Sequence, residues 1–460
     1  MASKDQFAPD LLLPIDRESG RGLRAQLEDQ LRDGVRAGRL REGTALPSSR
    51  VLATDLGVSR GVVVEAYAQL AAEGFLRARR GGATTVGPVA ATSTGPRPDV
   101  ADPPAPRWDL RVETGDLSAF PRRAWLAAQR RALAGAPDAA LGYGDRSGAP
   151  ALRRVLASYL GRARGVVAEP DQVLVTVGIM QAVGLLGAVL HERGVRRVAV
   201  EQPGFVFHHA ALRRAGLEVV PVPVDAGGLV VDKVAATRAG AVLVTPAHQF
   251  PTGAVLMPER RAALLAWAAA VDAFVLEDDY DGEFRYDREL GALQGLGPDR
   301  VVYLGSVSKT LAPALRLGWA VAPPAIAGAL REHKAWADGG SSALDQMTLA
   351  SFIERGDLDR HLRRSRTTFR RRRTAVLAAL AQQLPGAPVG GAAAGLHVTV
   401  ALPAGTDAEA FLAAAWAAGV GVFAFPHEEG ALVLVGYANL PEASVQPAVR
   451  ALAQAAAACG

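Results

Sequence analysis

The chain has 460 residues, of which 49% are hydrophobic and 21% charged, and its formal net charge is +5. This length allows two or three domains with cores of their own, and so modest a charge restricts any polyanionic partner to a local basic patch. The single cysteine, Cys459, excludes an intrachain disulfide and is typical of a reducing compartment. The first residues lack the apolar core of a signal peptide, and the most apolar run, 262–276, is interrupted by Asp272. We therefore expect a cytoplasmic protein without a membrane partner, in which this run forms a core helix followed by a strand.

The segment 15–86 begins with helical periodicity and continues with two short helical patterns around a tight turn. Over 23–40 the large apolar residues fall on one helical stripe, as Leu23, Leu27, Leu31 and Val35. Ser48 or Ser49 is in position to cap a second helix, and Gly57 can end it because glycine adopts the left-handed conformation without steric cost. Ser59 is in position to cap a third helix, which carries apolar residues at the same spacing: Val62, Val63, Ala66, Tyr67 and Leu70. Two short helices joined in this way indicate a helix-turn-helix.

Positive charge accompanies this motif. Residues 75–86 predict a two-stranded wing with a glycine tip, and residues 36–80 hold eight arginines against four acids, a balance of 8 − 4 = +4. Such a patch neutralises phosphates and makes affinity depend on salt. We predict that the segment binds double-stranded operator DNA, and a small helical domain that binds proteins is the alternative. The candidate contact residues are Ser48, Ser49, Arg50, Ser59, Arg60, Gly61, Tyr67, Arg79 and Arg80.

Composition changes at residues 87–107, with the sequence GPVAATSTGPRPDVADPPAPR. Eight of these 21 residues are proline or glycine, and only Val89 and Val100 are large and apolar. The stretch therefore predicts a semi-extended linker between a DNA-binding domain at 15–86 and a larger domain at 108–460.

In the larger segment short apolar runs alternate with helical stretches. The runs are QVLVTVG, RRVAVEQPG, GLEVVPVPVD, GAVLVTP, AFVLEDDY and VVYLGSVSK. This alternation predicts an α/β domain with a mainly parallel sheet, helices on both faces and a smaller α+β lobe. Ligands in such sheets lie outside the carboxyl ends of the strands, where the polar residues of this chain fall.

One of the few lysines of the chain stands at such a strand end. Only Lys4, Lys233, Lys309 and Lys334 are lysines among 51 basic residues, and an amine, unlike a guanidinium, can attack a carbonyl. In GSVSKTLAPALRLG, the amine of Lys309 has Ser306, Ser308 and Arg316 near it, which suit a dianionic phosphate. Gly178 precedes a predicted helix, so the amides of Ile179 and Met180 can face the same anion.

Other strand ends supply groups for an aromatic ring. Asp278 can keep a pyridine nitrogen protonated, Tyr280 or His248 can bond a ring oxygen, and Phe205 can cover the ring face. The pattern leaves open whether Asp278 or Asp279 contacts the nitrogen. Three adjacent carboxylates also occur at metal sites, but no histidine cluster accompanies them, and we predict no metal. Together these residues predict a pyridoxal 5′-phosphate site with Lys309 as the Schiff-base lysine.

Both halves resemble one family. LPSSRxLAxxLGVSRxxVxxAYxxLxxEGxLxxRxG in the small segment is similar to the winged helix-turn-helix of GntR-type bacterial regulators. EDDYDGEFRY, SKTLAPALRLG, TPAHQFPTG, LGYGDRSGAPALR and FP-x3-W in the large segment resemble a fold-type I aminotransferase. The chain is thus identified as a MocR-type regulator of the GntR superfamily. This resemblance implies a head-to-tail homodimer in which Tyr143 reaches the partner's phosphate and each DNA-binding domain contacts the partner's cofactor domain.

Three departures from the aminotransferase pattern bear on activity. Phe250 stands where aminotransferases usually have an asparagine before PTG, which leaves the ring oxygen to His248, Gln249 or Tyr280. Ile179 replaces a hydroxyl residue at the start of the phosphate-binding helix. The late region 428–440 holds no arginine to anchor a substrate carboxylate. We therefore do not expect efficient transamination, and the enzymatic status of the domain is left open.

These observations favour a transcription regulator that binds pyridoxal phosphate at Lys309 and senses either the cofactor itself or an amine or amino-acid effector. Two alternatives remain. One is an active aminotransferase of amino acids, and the other is a DNA-binding protein whose inactive enzyme domain serves only for dimerisation.

Overall fold

The computed structural model describes residues 13–78, 82–88, 105–112, 114–287, 290–391, 393–427 and 430–459. The chain divides into two compact units, Met1–Pro104 and Ala105–Gly460, and this division falls inside the predicted linker. Most of that linker lies outside the described residues, and the exact domain boundaries stay predictions.

The small unit contains three helices and a strand pair. The helices are α1 (Leu23–Arg36), α2 (Ser49–Leu56) and α3 (Arg60–Ala72), and the antiparallel strands are β1 (Leu76–Arg77) and β2 (Thr85–Val86). Ser48 caps α2 by accepting from the Val51 amide, and Ser59 caps α3 by accepting from the Val62 amide. Gly57 ends α2 at φ 61°, in the left-handed region. Both caps and the left-handed end of α2 are therefore confirmed, with Ser48 rather than Ser49 as the cap.

The core of this unit is apolar and contiguous. Its buried residues include Leu27, Leu31, Leu52, Val63 and Leu70, each at most 2% exposed. Because α1, α2 and α3 each contribute to it, the core fixes the angle between the two helices of the helix-turn-helix.

The large unit is built on an eight-stranded sheet. Its strands are β4 (Val173–Thr176), β5 (Arg197–Gln202), β6 (Glu218–Asp225), β7 (Gly228–Leu229), β8 (Ala241–Val244), β9 (Phe274–Asp278), β10 (Val301–Ser306) and β11 (Gly318–Val321). The spatial order is β4-β11-β10-β9-β8-β5-β6-β7. The run from β10 to β6 is parallel, whereas β11, β4 and β7 pair antiparallel. The prediction of a mainly parallel sheet is confirmed, with antiparallel edges that make the sheet mixed.

A second, four-stranded antiparallel sheet forms the smaller lobe. Its strands, in the order β12-β13-β16-β15, are β12 (Val389–Gly390), β13 (His397–Ala401), β16 (Gly430–Gly436) and β15 (Phe423–His427). Two further strands, β3 (Trp108–Asp109) and β14 (Val420–Gly421), pair in parallel and join the start of the unit to this lobe. The predicted α+β lobe is therefore present.

Ten helices of the large unit cover these sheets in the described ranges. They are α4 (Arg122–Ala134), α5 (Pro150–Arg164), α6 (Ile179–Glu192), α7 (Val206–Arg214), α8 (Pro258–Ala270), α9 (Pro324–Asp338), α10 (Ala343–Glu354), α11 (Asp357–Gln383), α12 (Ala408–Ala417) and α13 (Glu442–Ala457). The apolar run 262–276 forms most of α8 and the start of β9, as predicted. Searching the described residues finds no helix with the length and hydropathy that a bilayer crossing requires.

Candidate cofactor site and nucleic-acid interface

The lysine of the candidate site lies in the loop that follows β10. Ser306 ends this buried strand, and its hydroxyl accepts from the Ser308 amide at 3.4 Å. Lys309 is half-buried, and its Nζ donates to the Val112 carbonyl at 2.9 Å. The carbonyl of the next residue, Thr310, lies 2.7 Å from Nε2 of the buried His361. The loop is thus held on both sides of the amine.

Asp278, at the end of β9, is a buried carboxylate without a donor. It is 2% exposed, and among the described residues neither of its oxygens has a hydrogen-bond partner. Nδ1 of His208 lies 3.6 Å away, beyond hydrogen-bond distance. Burial and the adjacent carboxylates raise the pKa of Asp278 well above its ordinary value. An orphaned buried carboxylate of this kind fits the protonated nitrogen of a pyridine ring, which would supply the missing donor and charge.

Asp279, the next residue, is by contrast fully paired. Its carboxylate accepts two bonds from Arg164, at 2.7 and 3.0 Å, and one from the Tyr303 hydroxyl at 2.8 Å. Both members of the ion pair are buried, with side chains 4% and 0% exposed. Of the two candidates left open by the sequence, Asp278 is therefore the carboxylate with oxygens available to a ligand.

An aromatic pair lies beside these acids. Phe205 stacks flat on Phe250, with ring centroids 3.9 Å apart and planes 10° apart. Tyr280 meets Phe205 edge-on at 5.5 Å. Phe250, the residue in place of the usual asparagine, therefore backs one face of Phe205 and stiffens the side chain that is predicted to cover the ring.

The three residues proposed to replace the asparagine differ in whether their polar groups are free to bond the ring oxygen of a cofactor. Nδ1 of His248 lies 3.0 Å from the Tyr280 hydroxyl and 2.9 Å from Oδ2 of Asp281. The amide of Gln249 is committed elsewhere, with its Nε2 donating to Glu201 and its Oε1 accepting from the Thr252 hydroxyl at 2.7 Å. Tyr280 and His248 therefore stay as candidates, and Gln249 does not.

A cradle for an anion forms where β4 leads into α6. Gly178 precedes the helix with φ 123°, a conformation that side chains rarely adopt. A Cβ at this position would lie 3.4 Å from Nη2 of Arg316, so the guanidinium faces the glycine closely. The sheet register pairs Ser306 with Gly318 and Gly318 with Thr176, which brings the serine to the same edge. The first-turn amides of α6, including those of Ile179 and Met180, and the guanidinium fit a phosphate group.

Tyr143 is not gathered with the other candidate residues. Its side chain is 95% exposed and, within the described part of the chain, makes no hydrogen bond or ring contact with them. A contribution to a partner subunit's site stays a prediction.

Sequence reasoning missed several residues of this site. His208 lies one helical turn after Phe205, so helix periodicity was the available signal, and burial lowers its pKa to about 4, which keeps it neutral. Glu201, whose pKa is raised to about 7 by burial, accepts from the Thr245 hydroxyl. Arg164 gave no signal, because 115 residues separate it from Asp279. A search of the described residues finds no group of three or more acidic, histidine or cysteine side chains placed to hold a metal.

The late strand of the smaller lobe is apolar and lies in the core. Val433, Leu434 and Val435 of β16 are fully buried, and Phe425 of the adjacent β15 meets Phe250 edge-on at 6.1 Å. No arginine occurs in 428–440.

Three arginines elsewhere in the unit are engaged with the protein itself. Arg285 binds Asp287 and the Ala247 carbonyl, Arg366 binds the Glu283 carbonyl, and Arg372 binds Asp116. They do not substitute for a carboxylate clamp in this arrangement.

The small unit presents most of the predicted DNA contacts at its surface. Arg50, Arg60 and Gly61 are exposed, and Nε of Arg60 donates to the Ser49 hydroxyl at 3.4 Å. Tyr67 differs from the prediction, since it is 8% exposed and its hydroxyl donates to the Pro47 carbonyl at 3.0 Å. This contact joins α3 to the start of α2 and supports the motif from inside. Arg79 and Arg80 lie outside the described residues.

Comparison with known proteins gives two family matches. Residues 110–452 match aminotransferase class I and II, and residues 23–86 match bacterial regulatory proteins of the gntR family. The chain is 35% identical to the HTH-type pyridoxine biosynthesis transcriptional regulator PdxR of Corynebacterium glutamicum, over 85% of this chain and 86% of that protein. It is 31% identical to the probable rhizopine catabolism regulatory protein MocR of Rhizobium meliloti, over 96% of each. LysN, the α-aminoadipate aminotransferase of Thermus thermophilus, complexed with N-(5′-phosphopyridoxyl)-L-leucine, matches with a TM-score of 0.69 at 28% identity, over 76% of this chain and 92% of that one.

Proposed function

Because this chain belongs to the MocR-type regulators of the gntR family, which join a helix-turn-helix to an aminotransferase class I and II domain, we propose that its effector is pyridoxal 5′-phosphate itself. The protein is a DNA-binding transcriptional regulator that depends on this cofactor. The proposal places it in the cytoplasm with its DNA, and assigns DNA binding to 15–86, the linker to 87–107 and cofactor binding to 108–460.

Different residues of the chain would bind different parts of the cofactor. Lys309 would form the covalent link, the carboxylate of Asp278 would accept a hydrogen bond from the protonated pyridine nitrogen, and Phe205 would cover the ring. Gly178, Ile179 and Met180 offer backbone amides to the phosphate, together with the side chains of Ser306, Ser308 and Arg316. When bound, the cofactor supplies an aldehyde that the lysine amine can join and a ring that withdraws electrons.

The observation that carries the choice of effector is the apolar late strand. An amino-acid effector needs a cation for its α-carboxylate, and a bidentate guanidinium is the usual one. The apolar strand β16 and Phe425 offer none, while the three arginines named above are engaged with protein groups. The cofactor needs no such clamp, because its phosphate has the cradle at Gly178. The name of the PdxR relative, a regulator of pyridoxine biosynthesis, supports the same effector.

We assign the transmission of the signal to the lysine loop and to a head-to-tail homodimer. In the structure Nζ of Lys309 donates to the Val112 carbonyl, only a few residues after the linker, and an amine joined to the cofactor would give up this contact. Tyr143, 95% exposed in the single chain, is available to the partner's phosphate. The charge and packing change at the lysine would then bias how the linker is held.

The test is operator affinity with and without the effector. Binding of operator DNA is measured for wild type and Lys309→Ala, with pyridoxal phosphate and with a panel of amino acids and amines. We expect pyridoxal phosphate to change the affinity or spacing preference of wild type only, and the panel to add nothing. Lys233→Ala is the matched control, because Lys233 is exposed, whereas Lys334 is fully buried and paired with Asp338. If affinity and spacing preference do not respond to pyridoxal phosphate, the proposal is wrong.

An aminotransferase is the second candidate, favoured by the intact set of Lys309, Asp278 and Tyr280. Turnover of an amino donor with 2-oxoglutarate at ordinary enzyme rates, about 1–1000 per second, would establish it. We expect no such turnover, because nothing on β16 positions the carboxylate.

A further inference from the structure

A buried triangle of polar groups lies next to the position where aminotransferases carry their ring-oxygen asparagine. Its corners are Nδ1 of His248, the hydroxyl of Tyr280 and the carboxylate of Asp281. The three residues are 2%, 7% and 1% exposed. Asp281 was not among the residues singled out by sequence reasoning.

The chemistry of the triangle restricts the position of its protons. A carboxylate oxygen accepts, so the 2.9 Å contact with Oδ2 of Asp281 is made by an N–H on Nδ1 of His248. A nitrogen that carries this proton cannot accept from the Tyr280 hydroxyl, 3.0 Å away. The hydroxyl oxygen can share the histidine proton, while its own proton faces the carboxylate of Asp281; burial and the charge and hydrogen bond of Asp281 raise the pKa of the tyrosine well above its ordinary value. A ring oxygen would take this proton from Asp281, which the histidine proton would continue to satisfy.

The surrounding backbone leaves His248 little room to turn. A Cβ at Gly395 would lie 2.1 Å from Cε1 of His248 and 2.7 Å from Oδ2 of Asp281. On the far side the ring of His397 lies 4.8 Å from that of His248, and Nε2 of His397 lies 3.2 Å from the Pro251 carbonyl. The imidazole is therefore fixed in the plane that points Nδ1 at Asp281 and Tyr280.

We propose that Asp281 and His248 are positioning residues that orient the Tyr280 hydroxyl to donate to the ring oxygen of pyridoxal phosphate, in place of the asparagine that Phe250 displaces. This inference rests on the cofactor site proposed above. It explains how Phe250 can back Phe205 without leaving the ring oxygen without a donor. It assigns this role to His248 rather than to Gln249, because the side-chain amide of Gln249 is hydrogen-bonded to Glu201 and Thr252.

The spectrum of the lysine-bound cofactor reports on this hydrogen bond. A donor to the ring oxygen competes with the proton on the lysine nitrogen for the charge of that oxygen, so losing the donor makes the proton harder to remove. In His248→Ala we expect the pH at which the yellow absorbance changes to rise by about one unit, and cofactor affinity to fall about tenfold. Tyr280→Phe, which removes the hydroxyl itself, is expected to raise this pH midpoint and lower cofactor affinity at least as much.

Two comparisons separate this role from a merely structural one. In His248→Asn the amide nitrogen can stand near the Nδ1 position and donate to Asp281, so the spectrum should return towards wild type. In the double variant with Tyr280→Phe, His248→Ala should add little, because the histidine acts through the tyrosine. His333→Asn is the matched control, since it alters another histidine–carboxylate pair, 2.8 Å from Glu192, at the surface.

These measurements distinguish failure of the cofactor site at Lys309 from failure of the positioning role of His248 and Asp281. If wild type does not hold the cofactor at Lys309, the cofactor site itself is wrong. If wild type does, and His248→Ala leaves the spectral midpoint and affinity unchanged, or shifts them equally in the presence and absence of the tyrosine hydroxyl, the positioning role is overturned. Should His248→Ala fail to fold, Asp281→Asn carries the same expectation, a raised midpoint that disappears in the Tyr280→Phe background.

Discussion

Replacing Asp278 or Asp279 by asparagine removes the same charge at adjacent positions, yet we expect opposite effects on the stability of cofactor-free protein. Asp278 is buried with no donor for either oxygen within the described chain. Asp279 accepts three hydrogen bonds, two of them from the buried Arg164. The first change relieves an unsatisfied carboxylate, and the second leaves an unpaired guanidinium in the core.

The expected magnitudes follow from these contacts. Leaving a buried polar group unsatisfied costs about 1–3 kcal/mol, and the raised pKa of Asp278 limits its penalty because the group can protonate. Asp278→Asn should therefore stabilise the cofactor-free protein by about 1–2 kcal/mol. Breaking a buried ion pair by removing one partner costs about 3–5 kcal/mol, so Asp279→Asn should destabilise by that amount. For a unit the size of Ala105–Gly460, one kcal/mol shifts Tm by about 1–2 °C.

The assay is thermal unfolding of wild type and both variants, with and without pyridoxal phosphate. Added cofactor should raise the Tm of wild type through its binding free energy, and this rise should shrink in Asp278→Asn because the pyridine nitrogen loses its partner. The Tm of Asp278→Asn should thus lie above that of wild type without cofactor and below it with cofactor. A lowered Tm for cofactor-free Asp278→Asn, or an unchanged response to cofactor, would refute the reasoning.

Three further predictions concern other parts of the molecule. Burial raises the pKa of Glu201 from 4.5 to about 7. The contribution of this carboxyl to the free energy of unfolding is therefore fully present below about pH 4.5 and is lost as the pH rises to about 7. The free energy of unfolding of Glu201→Gln should then exceed that of wild type by up to about 3 kcal/mol at pH 8 but not at pH 4, which denaturant unfolding can measure. Arg50→Ala should weaken binding to all DNA sequences and lower the slope of log affinity against log salt by about one, measured by anisotropy, and an unchanged slope would remove Arg50 from the interface. Gly178→Ala should lower cofactor affinity about tenfold in absorbance titrations, because its φ of 123° disfavours a side chain and the new Cβ lies 3.4 Å from Arg316.

Sequence reasoning located the elements whose signals are local. Ser48, Gly57 and Ser59 mark helix ends through contacts within a few residues, so capping rules find them. The six apolar runs form strands because each is short, rich in β-branched residues and bounded by turns, and all but β6 are largely buried. The polar residues at their carboxyl ends follow from the topology of parallel sheets.

What sequence reasoning left open depends on long-range contacts. The choice between Asp278 and Asp279 is made by Arg164, 115 residues away, and no local pattern carries that information. Strand β11 inserts antiparallel between β10 and β4, although its four residues give no signal of direction. Tyr67 was placed at the DNA surface, although its spacing from Val63 and Leu70 puts it on the buried face of α3, and the bond of its hydroxyl to the Pro47 carbonyl is a long-range contact.

The most direct test of the account is to find where the cofactor is attached. Borohydride reduction of the protein with pyridoxal phosphate, followed by peptide mass mapping, should give one modified peptide, the one that contains Lys309. Modification at Lys233 or Lys334 instead, or an unmodified peptide across 309 from protein that was yellow before reduction and lost its colour on reduction, would contradict it.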